Sequence, residues 1–309
     1  MSMKNLKNFQ DFLDGNISKE KFIQKQYDDY YSKLFELAGY LKQTDIKEIS
    51  ISDNRVVFTT RSHGLHFICP EKDLRSSAIE TLNFQDYEKA DSKMMLNLIS
   101  DGDTIFDIGA NMGWYSILFS RLFRSSQIHS FEPVPNTFNV FAKNILLNNA
   151  TNIIHNNFGL SDSIRDEKIF FYPEGSGNAS LQNLSESDSA EEILCSFVTL
   201  DEYLSDNGCS VDFLKCDVEG AELLVFNGAE SSLLKYQPIV FSEILRKWSK
   251  KFNYDPNDIF NKFRSMGYIV FTSRDGNLFE FIEMNEETTE TNFFFLHPEK
   301  HSKLIDSYS

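Results

Sequence analysis

From Thr104 onward the chain repeats one pattern: a short apolar run, a tight turn, then a stretch with helical periodicity. The strand-like runs are Thr104–Ile108, Gln127–Phe131, Ile153–Phe158, Phe213–Cys216, Ile239–Phe241, Tyr268–Thr272 and Asn292–Leu296. Helical patterns at Tyr115–Phe123, Thr137–Asn148 and Ala221–Leu234 separate the early ones. Parallel strands need long crossovers, usually helices, where antiparallel strands need only a hairpin. The alternation therefore predicts an α/β fold with a parallel, doubly wound sheet, residues 91–309 forming one domain. The polar, acidic stretch Asn183–Glu192 is expected to be a solvated loop between the halves of that fold.

The residues before it follow other periods. Between 18 and 43, Ile23, Tyr27, Tyr30, Leu34, Leu37 and Leu41 recur at spacings of three and four, the mark of one amphipathic helix. Packing on its own chain is the simpler expectation for that helix, and a homodimer through residues 18–43 is the alternative. Residues 46–69 switch to a strand period. Ile49, Ile51 and Val56–Phe58 flank Asp53-Asn54, a hairpin turn, and Gly64–Cys69 offers a further strand. A helix over Asp91–Ile99 follows and stops near Asp101-Gly102. The expected division is a helical extension over 1–44, a small β-rich segment over 45–90 and the α/β domain.

Charge and cysteine usage narrow the partners. Thirty Lys+Arg against 46 Asp+Glu give a net charge of −16. Such a surface repels phosphate backbones and anionic lipid, which argues against nucleic acid as a partner. No stretch approaches the ~20 apolar residues of a membrane span, and the first residues lack the apolar core of a signal peptide. Cys69, Cys195, Cys209 and Cys216 are scattered with no C-x-x-C pair, as in a reduced, cytoplasmic protein.

Three segments carry chemistry. Asp107-Ile108-Gly109-Ala110-Asn111-Met112-Gly113 joins the first strand of the α/β region to its helix, the place where open α/β sheets bind ligands. Its glycines read G-x-x-x-G, not the G-x-G-x-x-G of a dinucleotide turn, which argues against NAD. A ligand with an amine and no phosphates, such as S-adenosylmethionine (SAM), would use Asp107 as acceptor for its ammonium. A plain strand-to-helix turn with packing glycines accounts for the same residues. Glu132 ends the second strand, followed by Pro133 and Pro135. It can accept both hydrogen bonds of a ribose diol, or cap the next helix. In the third segment, Lys215-Cys216-Asp217-Val218-Glu219-Gly220-Ala221-Glu222, an apolar strand ends in three acids and a lysine. Acids are favoured in a helix's first turn, which explains Glu219 and Glu222 but not Asp217.

Read in order, FDIGANMGWYSILFS (106–120), FEPVPNTFNVFAKNILLNN (131–149), FGLSD (158–162), GNASL (177–181), VTLDEYL (198–204) and LKCDVEGAELLVFNGAE (214–230) resemble the FkbM family of SAM-dependent methyltransferases. The resemblance covers about residues 100–245. It implies a seven-stranded Rossmann-like methyltransferase sheet with an antiparallel last strand, for which Phe293–Leu296 is the candidate. It also implies O-methylation of a hydroxyl on a saccharide, glycan or natural-product acceptor. Carried over by motif, Asp107, Gly109, Asn111 and Gly113 would shape the pocket for the methionine part of SAM, and Glu132 would hold the ribose. Asn157 and Phe158 would lie near the adenine, while Lys215, Asp217, Glu219 and Glu222 would face the reacting end. Cys216 stands where the family usually has an aliphatic residue, and Tyr87-Glu88 is similar to a pair preceding the family's first strand.

A protonated alcohol is a poor nucleophile, so methyl transfer to one calls for a general base or a Lewis-acidic metal. Asp217 is the first candidate and Glu243, near the end of the next strand, the second, with Lys215 beside them. Neighbouring parallel strands bring their ends within roughly 5 Å, so these acids could share a proton or a divalent cation. The sequence leaves that choice open. His129 and His155 are expected in the core, His63 in solvent, and His297 and His301 on a surface turn. Two other functions compete. A short-chain NAD(P) oxidoreductase requires Tyr-x-x-x-Lys, which none of the twelve tyrosines provides. A non-catalytic nucleoside-binding or assembly module would have no need of Asp107, Glu132 and Asp217 together.

Overall fold

The computed structural model describes residues 3–85, 89–184 and 190–309, so the Tyr87-Glu88 pair lies outside the described residues. Near the N-terminus, β1 (Ile46–Ser52), β2 (Arg55–Thr60) and β3 (His66–Cys69) form an antiparallel sheet in that order. Asp53-Asn54 makes the hairpin between β1 and β2, with Asn54 in the left-handed region at φ 62°. That is a conformation asparagine tolerates better than most residues.

The main sheet is built from β4 (Thr104–Ile108), β5 (Gln127–Phe131), β6 (Ile153–Asn156), β10 (Phe213–Cys216), β11 (Ile239–Glu243), β12 (Ile269–Arg274), β13 (Asn277–Glu280) and β14 (Asn292–Leu296). Their order is β13-β12-β14-β11-β10-β4-β5-β6. The five strands from β11 to β6 are parallel, and β14 runs antiparallel between β11 and β12. One strand more than expected is present: β13 folds back on β12 across Asp275-Gly276, both at positive φ. Successive residues of the inner strands alternate between two cores. Ile105, Phe213, Phe241 and Phe294 pack on one face, and Phe106, Leu214, Val240 and Phe295 on the other. Such a sheet must be covered on both sides, and its strands read as continuous apolar runs for that reason.

A third sheet was not foreseen. It pairs β7 (Gly159–Leu160), β8 (Arg165–Phe171) and β9 (Glu191–Val198) in the order β7-β9-β8. Glu191 and Glu192 therefore open a strand, opposite Phe171 and Phe170, and are not part of a loop. Their acidity reflects an exposed end of that strand, where Lys168 pairs with Glu192 at 2.6 Å. The helix expected over Ala221–Leu234 is two helices, Glu222–Asn227 and Glu230–Tyr236, interrupted at Gly228-Ala229.

The N-terminal helix is likewise segmented. Lys19–Gln26, a π-helical turn at Tyr27–Tyr31, Ser32–Tyr40 and a 3-10 turn at Leu41–Gln43 follow one another. Its apolar face is only partly covered by the chain: Ile23, Tyr27 and Leu34 are exposed, Tyr30, Leu37 and Leu41 half-buried, and Leu41 packs against the hydrophobic core. Among the histidines, His129 is buried as expected and bonds Tyr203 through Nδ1 at 2.8 Å, and His63 is exposed. His155 is exposed, because β6 is the edge strand of the sheet. His297 and His301 are buried: the His297 amide donates to His301 Nδ1 at 2.9 Å, which closes the turn, and the His297 ring packs edge-on against buried Tyr268. No helix among the described residues is long and apolar enough to cross a membrane.

Candidate active site

The carboxyl ends of β4, β5, β10 and β11 open onto one cleft of about 490 Å³, in the range of small-molecule sites (~300–1,000 Å³). Gly109, Asn111, Glu132, Lys215, Asp217, Glu219 and Glu243 all line it.

One wall is the β4 turn with Glu132. Gly109 sits at φ +78°, and a side chain there would drive its Cβ into the carbonyl oxygen of Asp217. The glycine is thus required by the approach of two turns, whatever the cleft holds. Gly113, at φ +88°, meets the Phe141 ring in the same way and does not line the cleft. The Asn111 amide donates to Glu132 Oε2 at 3.0 Å and the Val134 amide to Oε1 at 2.8 Å. Burial raises the Glu132 pKa to about 7, against the pull of those two amides. Asn157 and Phe158 are not on the cleft wall, which Gly159 and Leu160 form instead. Asn157 works from behind, donating through Nδ2 to the carbonyls of Glu132 and Pro133 at 3.0 and 3.1 Å. Asp107 is also set back. It is fully buried, accepts from Ser116 Oγ at 2.5 Å, and has Oδ1 3.7 Å from Lys215 Nζ.

The other wall is acidic. Lys215, 2% exposed, bonds Asp217 Oδ2 at 3.1 Å and lies over the Tyr115 ring at 5.1 Å. Carboxylate oxygens of Asp217, Glu219 and Glu243 all lie within 4.8 Å of one another. Glu219 holds a left-handed backbone at φ 53°, a conformation that costs of order 1–3 kcal/mol in a non-glycine residue and clusters at functional sites. Burial, then the charges of Asp217 and Glu222, push its pKa up to about 8, opposed by Lys247 and a hydrogen bond from Trp248. Glu222 does not face the cleft. It is 1% exposed, and its Oε1 accepts the amides of Val218 and Gly220 at 3.2 and 3.0 Å, so it braces the turn that carries Asp217 and Glu219. Cys216 is a buried apolar residue, at 0% exposure.

Sequence reasoning did not find the rest of the cleft lining. Arg75, Ser77 and Glu80 come from the N-terminal region, Ser176–Leu181 from the loop after β8, and Lys247 and Trp248 from the segment after β11. The loop is tied to both walls, since Ser180 Oγ donates to the Glu219 carbonyl at 2.8 Å and Ser176 Oγ bonds Asn111 Oδ1 at 3.4 Å and Asp73. The GNASL string marked this loop in the sequence but gave it no role.

The model of the methyltransferase FkbM domain matches residues 107–270, just over half of the chain. Methyltransferase 1 of Beauveria bassiana is 28% identical over 148 residues, 42% of this chain and 59% of that protein. The 31-O-demethyl-FK506 methyltransferase FkbM of Streptomyces tacrolimicus is 26% identical over 160 residues, 42% of this chain and 61% of its own length. The chain spans 59–66% of the length of the curated relatives it matches. Among solved structures, a methyltransferase FkbM from Methylobacillus flagellatus KT aligns at 16% identity and TM-score 0.42, over 64% of this chain and 44% of that one.

Proposed function

Because the chain belongs to the FkbM methyltransferase family, we propose that it is a cytoplasmic, SAM-dependent O-methyltransferase acting on a hydroxyl of a saccharide, glycan or natural-product acceptor. One observation carries the proposal: a single cleft holds a backbone-anchored carboxylate on one wall and three carboxylates with a lysine on the other.

The residues fit SAM. Each Glu132 oxygen takes one backbone N–H, which leaves lone pairs for the two hydroxyls of a ribose. Gly109 and Asn111 would bound the methionine part, with Asp107 supporting them from behind through Ser116 and Lys215. When bound, SAM supplies an electrophilic methyl group. The acceptor hydroxyl must lose its proton as its oxygen attacks, and Asp217 is placed to take it. Lys215 orients Asp217 and balances its charge. Glu243 and Glu219 place further carboxylate oxygens within 4.8 Å of those of Asp217, near enough for one bridging water to link them. Ser176–Leu181 and Trp248 complete the lining of the cleft.

A second reading rests on the same three acids. Asp217, Glu219 and Glu243 offer oxygen ligands at spacings that suit a hard divalent cation, which would lower the hydroxyl pKa directly. Incubating the protein with methyl-labelled SAM and a panel of hydroxylated acceptors tests the main reading; labelled product is expected, and hydride transfer from NAD(P)H would replace it with an oxidoreductase. Activity lost to EDTA and restored by Mg²⁺ or Mn²⁺ selects the cation, and indifference to EDTA selects the base.

We also propose self-association through the exposed Ile23, Tyr27 and Leu34 of the N-terminal helix. Light scattering should show a mass halved in a chain lacking residues 1–44. An unchanged mass removes the dimer.

A further inference from the structure

We infer that Asn144 is a positioning residue for the cofactor turn, and that through it the small β1–β3 sheet becomes part of the SAM site. The inference rests on the reading that the turn 109–113 holds SAM.

β3 pairs with β2 along one edge only, leaving its other edge to be satisfied. Two asparagines one helical turn apart, on the helix Pro135–Asn148, meet that edge. Asn148 Oδ1 accepts the His66 amide at 2.8 Å and its Nδ2 donates to the His66 carbonyl at 2.7 Å. Asn144 Oδ1 accepts the Ile68 amide at 2.9 Å. The spacing is matched: four helical residues rise ~6 Å and two strand residues ~6.6 Å, so the side chains imitate a neighbouring strand.

Asn148 spends its amide group on β3 and on the Asn144 carbonyl. Asn144 does not. Its Nδ2 donates to the carbonyl of Met112 at 2.9 Å, and the residue is fully buried. Met112 lies between Asn111 and Gly113, both left-handed, in a turn also held by the Asn111 amide on Glu132, by the Gly109 and Ala110 amides on the Phe131 carbonyl, and by Ser176 on the Asn111 side chain. Each partner of the Asn144 amide is a backbone group of fixed polarity, so its orientation has no alternative. Ile68, Asn144 and Met112 form one strut from the β3 edge to the turn that would close on the cofactor. Arg75, Ser77 and Glu80, a few residues beyond β3, line the same cleft, so the small sheet is joined to it twice.

A matched pair of substitutions tests the strut. Asn144→Asp and Asn148→Asp each keep the acceptor facing β3 and lose the donor, but only the first loses the bond to Met112. Both should lower the thermal midpoint. Asn144→Asp should weaken SAM binding about tenfold by calorimetry, raising KM for SAM without lowering kcat at saturation. Asn148→Asp should stay within about twofold. Should Asn144→Asp fail to fold, Asn144→Ala is read in the same way without the added charge. Equal losses in the two variants, or unchanged SAM affinity in the Asn144 variant, overturn the inference. Wild-type protein that binds no SAM fails the cofactor reading instead. Hydrogen exchange at the amides of 110–113, expected to be faster in the Asn144 variant than in the Asn148 variant, then decides the strut alone.

Discussion

The two walls of the cleft hold their carboxylates by opposite means. Glu132 is fixed by backbone amides of Asn111 and Val134, groups that cannot move without the turn itself moving. Asp217 is fixed by a lysine side chain that also approaches Asp107. A carboxylate held by amide dipoles accepts hydrogen bonds from neutral hydroxyls at a set geometry, as a binding residue should. A carboxylate held by a buried lysine, with two further carboxylates within 4.8 Å, sits among side-chain charges and not amide dipoles, the setting proposed here for the group that takes the proton. On the proposed reading, binding and chemistry rest on different kinds of support, and each should be separable by substitution.

The largest effect should come from the acidic wall. Asp217→Asn should lower kcat by roughly 10²–10⁴-fold while leaving the SAM Kd within about twofold. Stopped turnover together with an equal loss of SAM affinity would show that the walls are not separate.

On the other wall, Glu132→Ala should weaken SAM by about 1–3 kcal/mol, a Kd roughly ten- to a hundredfold higher, with little change in kcat at saturation. The pH dependence sharpens this. With its pKa raised to about 7 by burial, Glu132 is part-protonated near neutrality, and only the carboxylate accepts from both hydroxyls. Binding therefore favours the ionised form and releases a proton. The SAM Kd should tighten as pH rises through about 7 and level off above it. Glu132→Gln should bind weakly with no such slope, and a wild-type Kd that is flat from pH 6 to 8 contradicts the assignment.

The smallest effect concerns the brace behind the acidic wall. Burial raises the Glu222 pKa from 4.5 to about 7. Between those values the unfolded chain has lost a proton that the folded one keeps, so stability falls as pH rises. Glu222→Gln should flatten that part of the wild-type decline, a gain of roughly 1–3 kcal/mol at pH 8 relative to pH 5. Parallel wild-type and variant melting profiles across pH 5–8 would show that this carboxyl holds no proton.

Much of the fold was legible because strands buried on both faces leave an unmistakable apolar run: those runs located β4, β5, β10, β11 and β14 along the chain, while the antiparallel direction of β14 came from the family resemblance. β13 was legible and overlooked: Asp275-Gly276 is a strong hairpin signal, but the strand beyond it offers only Leu278 to the core. β8 and β9 were harder, because Arg165–Lys168 and Glu191-Glu192 hide a strand period under charge. At the site, motif spacing picked out Glu132, Lys215, Asp217 and Glu243, whose places depend on strand ends. It gave Glu222 the wrong orientation and missed the closeness of Glu219 to Glu243, because both depend on the path of one turn. Arg75 and Trp248 reach the cleft from outside the matched strings, and no spacing rule relates them to it.

The contact between Gly109 and the Asp217 carbonyl has a consequence for evolution of the acceptor site. Two main chains touch there with no side chain between them, so the distance from one turn to the other cannot be tuned by substitution. On the proposed reading of the cleft, a different acceptor would be met at its rim and not by spreading the sheet. The rim offers side chains that can differ in length and shape at Arg75, Lys247 and Trp248, whereas Ser176 and Ser180 are tied to the walls by hydrogen bonds. Exchanging those rim residues between related chains that share the Asp107–Gly113 turn would test whether acceptor preference moves with them.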